Sequence, residues 1–308
     1  MPVSDRYLEL AKPVNNWGRW GDEDERGTLN LLDAAAVRRG VDAVVDGRTR
    51  TLGIGLSRDG IQSGQIKGRD NPTHSMVWIN KAITRDADVF ATSDDRIDMG
   101  LQAGTHWDSL AHVSRGGLLY NGHPADAITE RGATRCGIDK VGPMVSRGVL
   151  LDVAAARGRN RLAGTHVVTP EDLDEAADFG KVTIEPGDVV LVRTGQMSLF
   201  HEGDREAYAF PAPGLGVNCP AWFHARDVAA VATDNLACEI FPAEHDDLFL
   251  PVHLLHLHEM GMLQGQNWDL EGLSEDCADV GRWTFLLSAT PEPVVRGIGG
   301  PVNPVVTL

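Results

Sequence analysis

An alternation of short apolar runs with helix-forming segments predicts a mixed α/β fold for this chain. The clearest strand is Val189–Arg193, an apolar run that directly follows a Pro-Gly-Asp turn. The clearest helix begins after Thr169, a good N-cap, with Pro170 in its first turn. No linker long enough to divide the chain interrupts the pattern. We therefore expect one domain over residues 1–308, with an N-terminal extension of about residues 1–50 packed on it.

The first third of the chain is richer in strands and turns. Asp33 carries the side-chain oxygen of an N-cap, which predicts a helix over residues 34–39. Residues 53–56 are interpreted as a strand. Residues 75–83 have apolar side chains at alternate positions, which is typical of a strand with one buried face. Residues 148–153 form an apolar run between a glycine and alanines, which predicts a buried strand.

The second half alternates more regularly. The helix that begins at Thr169 should end near Gly180, and a helix over residues 221–226 should precede a strand over residues 228–233. A further helix is predicted over residues 253–261, because Gly261 is a typical stop signal. A helix over residues 270–280 and a strand over residues 283–288 complete the pattern.

Composition excludes several classes of partner. The formal net charge is −16, which argues against a nucleic acid or an anionic membrane, since both require a basic surface. None of the four cysteines forms a Cys-x-x-Cys pair, so free thiols in a reducing compartment are expected. The first ten residues lack the apolar core of a signal peptide, and no run is long enough to span a membrane. We expect a cytoplasmic protein that acts on a small molecule.

The segment from Gln102 to His112 carries the most chemistry. It places two histidines, an aspartate and a glutamine around a Gly-Thr step, and these side chains offer the nitrogen and oxygen ligands of a metal site. In a strand, Gln102, His106 and Asp108 would share one face, and Gly104 would leave room there for an ion. His112 would reach the same cleft and move protons near neutral pH. A simple hydrogen-bonded pair of His106 and Asp108 is the alternative.

The motif Gly104-Thr105-His106-x-Asp108-x-x-x-His112 resembles that of the putative cyclase family, which includes bacterial kynurenine formamidases and isatin hydrolases. The similarity extends over nearly the whole chain. Further stretches that carry it are residues 16–21 with 27–31, 186–195, 265–271 and 300–304.

The resemblance implies a swivelling β/β/α domain, with a mixed central sheet or barrel flanked by helices. It also implies a metal-dependent hydrolase that assembles as a homodimer or homotetramer. His106 and Asp108 would be metal ligands, and His112 would be the catalytic proton shuttle. Zinc or manganese would be the cofactor, since both accept mixed nitrogen and oxygen ligation.

This chain departs from the family pattern at two ligand positions. Gln102 replaces the first motif histidine, and Gln266 replaces a downstream glutamate. The downstream histidine of the family pattern corresponds to His253, or to His256 if the alignment with that pattern is shifted. A glutamine amide is a weaker ligand than an imidazole and lacks the charge of a carboxylate. We therefore expect at most one tightly held ion, bound by His106 and Asp108 with help from His253 or Gln102, and with the side-chain oxygen of Gln266 as a further candidate ligand.

Other side chains are candidates for binding the substrate. Trp17, Trp20 and Trp107 could form an apolar wall for a ring, although tryptophans mostly fill cores. Arg193 follows the strongest strand and could bind a substrate carboxylate, although a structural ion pair would look the same. Glu239 follows a predicted strand, where side chains often line the ligand crevice of an α/β fold.

Three functions are consistent with these residues. The first is hydrolysis of a carbonyl C–N bond in an aryl formamide or cyclic amide, or of a lactone, by metal-activated water. The second is a polyketide-type cyclisation or dehydration, in which the ion acts as a Lewis acid. The third is a non-catalytic binding protein whose metal site has degraded, as the two glutamines suggest.

Overall fold

The computed structural model of the protein describes residues 4–308. Its α-helices are α1 (Asp5–Ala11), α2 (Ala34–Asp42), α3 (Val153–Ala156), α4 (Pro170–Gly180), α5 (Met197–His201), α6 (Arg205–Ala209), α7 (Cys219–Ala225), α8 (Pro251–His253) and α9 (Glu271–Val280). A π-helix spans Leu254–Met260. The 3₁₀ helices are Lys12–Val14, Gly27–Leu31, Tyr120–Gly122, Ala125–Ala127 and Ile138–Lys140.

The strands are β1 (Thr49–Thr51), β2 (Thr73–Ala82), β3 (Ala91–Asp98), β4 (His106–Asp108), β5 (Ile128–Thr129), β6 (Gly132–Ala133), β7 (Val145–Asp152), β8 (Val167–Val168), β9 (Val189–Arg193), β10 (Gly214–Leu215), β11 (Ala230–Thr233), β12 (Leu263–Gln266), β13 (Thr284–Ser288), β14 (Gly299–Pro301) and β15 (Val305–Thr307). The main sheet has the order β1-β15-β13-β7-β9-β11-β12-β4-β14. Its centre, β7-β9-β11-β12, is parallel, and the flanking pairs are antiparallel. This mixed sheet curls into a half-barrel flanked by helices, so the predicted fold class is confirmed.

The parallel centre is buried on both faces. Along β9, Val189 and Leu191 belong to one apolar core, whereas Val190 and Val192 belong to another on the opposite face. Strands that are covered on both sides need continuous apolar runs rather than alternation. This is why the run Val189–Arg193 predicted its strand to the residue.

Two helix starts follow from local capping chemistry. The Asp33 carboxylate accepts hydrogen bonds from the backbone N–H groups of Ala35 and Ala36, which begins α2. Thr169 and Asp172 form a capping box at the start of α4, and Lys181 ends that helix in a left-handed conformation. Both helices were predicted from these caps.

One predicted strand is wrong, and a second is wrong in part. Residues 53–56 form a loop, because Ile54 N–H donates to the Thr105 hydroxyl oxygen at 3.0 Å instead of to a neighbouring strand. Residues 102–105 form turns and bends, and the strand begins only at His106. The shared face predicted for Gln102 is therefore lost. A Cβ atom on Gly104 would lie 2.8 Å from Leu56 Cδ2, so this glycine makes room for a leucine rather than for an ion.

The helix predicted over residues 253–261 is present, but most of it is π-helical. Gly261, with φ of +64°, ends it in the left-handed conformation. The N-terminal residues pack on this segment. Asn16 N–H donates to the Glu259 carbonyl at 3.0 Å, and the Asn16 amide donates to the Met260 carbonyl at 3.0 Å.

Strands β2 and β3 pair with each other in a separate hairpin. Most of its side chains are exposed, so the alternation that predicted β2 does not reflect burial in this chain. None of the helices within residues 4–308 combines the length and apolar character needed to cross a membrane.

Candidate metal centre

Strand β4 positions the first two predicted ligands. His106 and Asp108 lie on one face and are fully buried, as the motif predicted. Trp107 lies between them and points the other way. Its ring packs edge-on against Trp268 with centroids 4.9 Å apart, and its indole N–H donates to the Ala289 carbonyl at 2.8 Å. Trp107 is thus a core residue, and its predicted role in a substrate wall is not supported.

Three histidines converge on Asp108. Its Oδ1 atom lies 3.5 Å from His106 Nε2 and 3.8 Å from His112 Nε2. Its Oδ2 atom lies 4.0 Å from His253 Nε2. One ligand atom each from Asp108, His112 and His253 lies within 4.8 Å of the others. These three residues form a possible metal site, with His106 beside it.

The donor atoms suit a divalent cation. His106 Nε2 and Asp108 Oδ1 are buried and have no hydrogen-bond partner within the part of the chain that the structure describes. Buried polar atoms are normally paired, because leaving them unpaired costs about 1–3 kcal/mol each. Imidazole nitrogen and carboxylate oxygen are common ligands of zinc and manganese. A bound cation would satisfy both atoms, so the residues present fit a metal.

A carboxylate fixes the orientation of His253. Glu239 accepts a hydrogen bond from His253 Nδ1, and it also accepts from the backbone N–H groups of Val252 at 3.1 Å and His253 at 2.9 Å. His106 is fixed similarly, since its Nδ1 lies 2.8 Å from the Gly104 carbonyl oxygen. In both cases the Nε2 atom faces the centre, where that of His253 lies 3.2 Å from Gln266 Nε2. Such outer partners hold metal-binding imidazoles in one tautomer.

Two glutamine amides cover the other oxygen of Asp108. Gln266 Nε2 donates to Oδ2 at 2.7 Å, and Gln264 Nε2 does so at 3.3 Å. Gln266 therefore presents an amide nitrogen to the centre, rather than the ligand oxygen that was predicted. His256 Nδ1 lies 3.2 Å from Gln264 Oε1, so His256 supports the glutamine and His253 reaches the centre. Gln264 was missed, although it shares a strand face with Gln266.

The electrostatics favour a charged aspartate at the centre. Burial raises the pKa of Asp108, but the charges of His112, His106 and His253 outweigh it and hold the pKa well below the usual range. For His256, burial lowers the pKa to about 3, so this imidazole is neutral at pH 7. The centre therefore combines an anionic oxygen with a neutral supporting histidine.

Four other predicted residues contact groups outside the centre. Gln102 Nε2 lies against Gly299, 2.7 Å from where a Cβ of that residue would be. Trp17 donates to the His258 carbonyl at 2.7 Å, and Trp20 packs under the Arg19 guanidinium at 4.7 Å. Arg193 is paired with Asp152 and Glu271, which is the structural ion pair considered as its alternative.

A cavity of about 360 Å³ opens at the centre. His112, His253 and Gln266 line it together with Gln65 and Arg69. Its apolar wall consists of Ile66, Leu236, Ala237, Phe241, Phe249 and Leu250. These residues come from loops, whose spatial neighbours no sequence periodicity reports, so the sequence analysis missed them. They replace the predicted tryptophan wall.

Solved structures share this fold. A crystal structure described as a novel cyclase is 32% identical, with a TM-score of 0.88, and the match covers 97% of this chain and 99% of that one. Isatin hydrolase A from Ralstonia solanacearum is 20% identical, with a TM-score of 0.64, over 89% of this chain and 94% of its own. A structure described as a "predicted metal-dependent hydrolase" from Bacillus stearothermophilus is 16% identical, with a TM-score of 0.53, over 85% and 98%.

A search of curated protein sequences gives no match. The family model described as "Putative cyclase" matches residues 27–240, a range that includes the motif around His106 and Asp108. That range and the 32% identical structure together cover the main sheet and the candidate metal centre. The chain belongs to the putative cyclase family.

Proposed function

We propose that the protein is a metal-dependent hydrolase that cleaves a carbonyl C–N bond in an aryl formamide or cyclic amide, or the ester bond of a lactone. The observation that carries this proposal is the convergence of buried, unpartnered donor atoms of His106 and Asp108 with His112 and His253 at the floor of an apolar cavity. The fold shared with isatin hydrolases supports it.

Three residues would hold the ion. His106 and Asp108 are buried and His253 is 5% exposed, and Glu239 fixes the last of these in place. A divalent ion, zinc or manganese, lowers the pKa of water and polarises a carbonyl when it is bound. Because two amides occupy Asp108 Oδ2, only Oδ1 is free to bind a cation. We therefore expect one ion per chain.

His112 has a different position. Its side chain is 22% exposed and lines the cavity, whereas His106 and Asp108 are wholly buried. An imidazole at the cavity floor can take a proton from water and return it to the leaving nitrogen. The apolar wall suits the ring of an aryl substrate. We therefore assign proton transfer to His112, and metal content in His112→Ala separates this role from that of a ligand, since its ligand atom also lies within 4.8 Å of those of Asp108 and His253.

The test combines metal content with turnover. In wild type and His112→Ala, elemental mass spectrometry should find about one zinc or manganese per chain, while hydrolysis of formanilide should fall about 10²–10⁴-fold in the variant. His74→Ala, on the exposed hairpin, is the matched control and should change neither quantity. Incorporation of solvent ¹⁸O into the product would distinguish hydrolysis from cyclisation.

Two results would contradict these assignments. Loss of the metal in His112→Ala would make His112 a ligand instead of a proton carrier. A wild-type protein that carries no metal and takes up none on reloading would leave a binding protein as the better description.

A further inference from the structure

Arg69 is a charged side chain that the metal centre does not explain. It lies in the loop between β1 and β2 and lines the same cavity as His112, His253 and Gln266. The residue is partly buried. Among residues 4–308, no carboxylate oxygen lies within the 4.0 Å of an ion pair with its guanidinium, and the side chain makes no hydrogen bond.

Several partly or fully buried arginines of the chain have a carboxylate partner: Arg193 has Asp152 and Glu271, and Arg147 has Asp188 at 2.6 Å. Arg26 and Arg39 are partly buried without an ion pair, but neither lines the cavity at the candidate metal centre. The sequence holds 44 acidic residues against 28 lysines and arginines, so acidic partners are abundant. Removing a guanidinium from water without a partner is costly. The charge of Asp108 acts on Arg69 without forming an ion pair, and the guanidinium lines the cavity, so a ligand in the cavity can supply the missing partner.

The surroundings of Arg69 define the rest of that ligand. Its backbone N–H donates to the Ile66 carbonyl at 3.1 Å, and its stem packs over Gly100, where a Cβ would lie 3.9 Å from Arg69 Cα. Beside it stand Ile66, Leu236 and Phe249, which offer apolar contact. A guanidinium presents paired N–H groups that match the two oxygens of a carboxylate. Arg69 thus forms a polar point on an otherwise apolar wall.

We propose that Arg69 binds a carboxylate on the substrate, so that the substrate class is an aryl amide or lactone that carries a carboxylate on its ring. The nature of the bond that is cleaved rests on the proposed function. The recognition of the carboxylate does not, since it needs only the cavity and the guanidinium. Arg69 is then a specificity-determining residue of this chain.

Binding can test this without turnover. The dissociation constants of formanilide and of 2-, 3- and 4-formamidobenzoate are measured by calorimetry in a His112→Ala background, which is expected not to turn the compounds over, for the otherwise unchanged chain (called wild type below), Arg69→Gln and Arg159→Gln. Arg159 is exposed and lines a separate surface cleft. Arg159→Gln therefore removes the same charge outside the cavity and serves as the matched control. At least one carboxylate isomer should bind wild type 10-fold or more tightly than formanilide. Arg69→Gln should remove that preference, and Arg159→Gln should keep it.

The two proposals fail in different ways. If none of the compounds is hydrolysed but the Arg69-dependent preference remains, the proposed function falls and the carboxylate site stands. If the preference survives in Arg69→Gln, the carboxylate binds elsewhere, for example at the metal, and this inference is overturned. Equal binding of all four compounds to wild type would overturn it as well. If Arg69→Gln does not fold, Arg69→Lys is used instead. A lysine keeps the positive charge but lacks the paired N–H groups of a guanidinium, so this variant should lose part of the preference for the carboxylate.

Discussion

Glu259 lies at the junction between the N-terminal segment and the π-helix. Its carboxylate accepts hydrogen bonds from Tyr7 at 2.9 Å, Asn15 at 2.7 Å, Arg115 at 3.0 Å and His258 at 3.1 Å. The residue is 2% exposed. We predict that Glu259→Gln destabilises the fold, because an amide brings its own donors toward groups that already donate and removes the charge that pairs with Arg115.

The size of the effect follows from the pKa of Glu259. Burial raises this pKa, but the hydrogen bonds from His258, Asn15 and Tyr7 and the charge of His258 outweigh burial and lower it from 4.5 to about 2. That difference is equivalent to about 3 kcal/mol of folding free energy. Because the folded-state pKa is the lower one, this stability is present above pH 4.5 and is lost as the pH falls through 2.

Urea unfolding at pH 7 and at pH 3.5 measures this contribution. Relative to wild type, Glu259→Gln should lose about 3 kcal/mol at pH 7 and only about 2 kcal/mol at pH 3.5. Glu130→Gln, on an exposed turn, is the control and should stay within about 0.5 kcal/mol of wild type at both pH values. A loss below about 1 kcal/mol at pH 7, or one that does not shrink in acid, would refute the reasoning.

Two further predictions concern single residues. Glu239→Gln should weaken metal binding about 10–100-fold while the fold is kept, because His253 loses its charged partner; competition against a chelator measures this, and an unchanged affinity would show that Glu239 does not orient His253. Gly27→Ala should cost more than the about 1–2 kcal/mol of a left-handed alanine, since its Cβ would lie 1.9 Å from the Gly261 carbonyl oxygen. Gly47→Ala, where φ is also positive but nothing lies within 4 Å, should cost only that amount in thermal unfolding, and equal losses would exclude the clash.

The elements predicted correctly are those whose signal is local. A cap such as Thr169 acts on backbone groups three residues away, and an apolar run such as Val189–Arg193 reports burial on both faces of a sheet. Residues 53–56 failed because the Ile54 N–H donates to the hydroxyl of Thr105, 51 residues away, which no local pattern shows. The π-helical geometry of Leu254–Met260 was missed for a similar reason, since helix-forming residues do not distinguish it from an α-helix.

In the candidate metal centre, too, some residues could be predicted from a local signal and others could not. His106 and Asp108 were predicted on one face because two residues along a strand suffice to fix it. The choice between His253 and His256 needed the fold, since only the packing of Glu239 and Gln264 decides which imidazole faces Asp108. Arg69 and the apolar wall come from loops that converge from distant parts of the chain, so their contribution was not predictable from spacing.

The π-helix fixes the angle between the two ends of its segment. It serves two neighbours at once, with His253 directed to the metal centre at its start and Glu259 directed to the N-terminal segment near its end. In an α-helix each residue advances by about 100°, whereas the wider π turn closes one residue later. If the same residues took α-helical geometry, each step would turn further, and one end would rotate against the other by roughly a third of a turn. The helix would persist but could engage only one of its two neighbours, so it is the π geometry, and not helix formation alone, that lets one segment serve both.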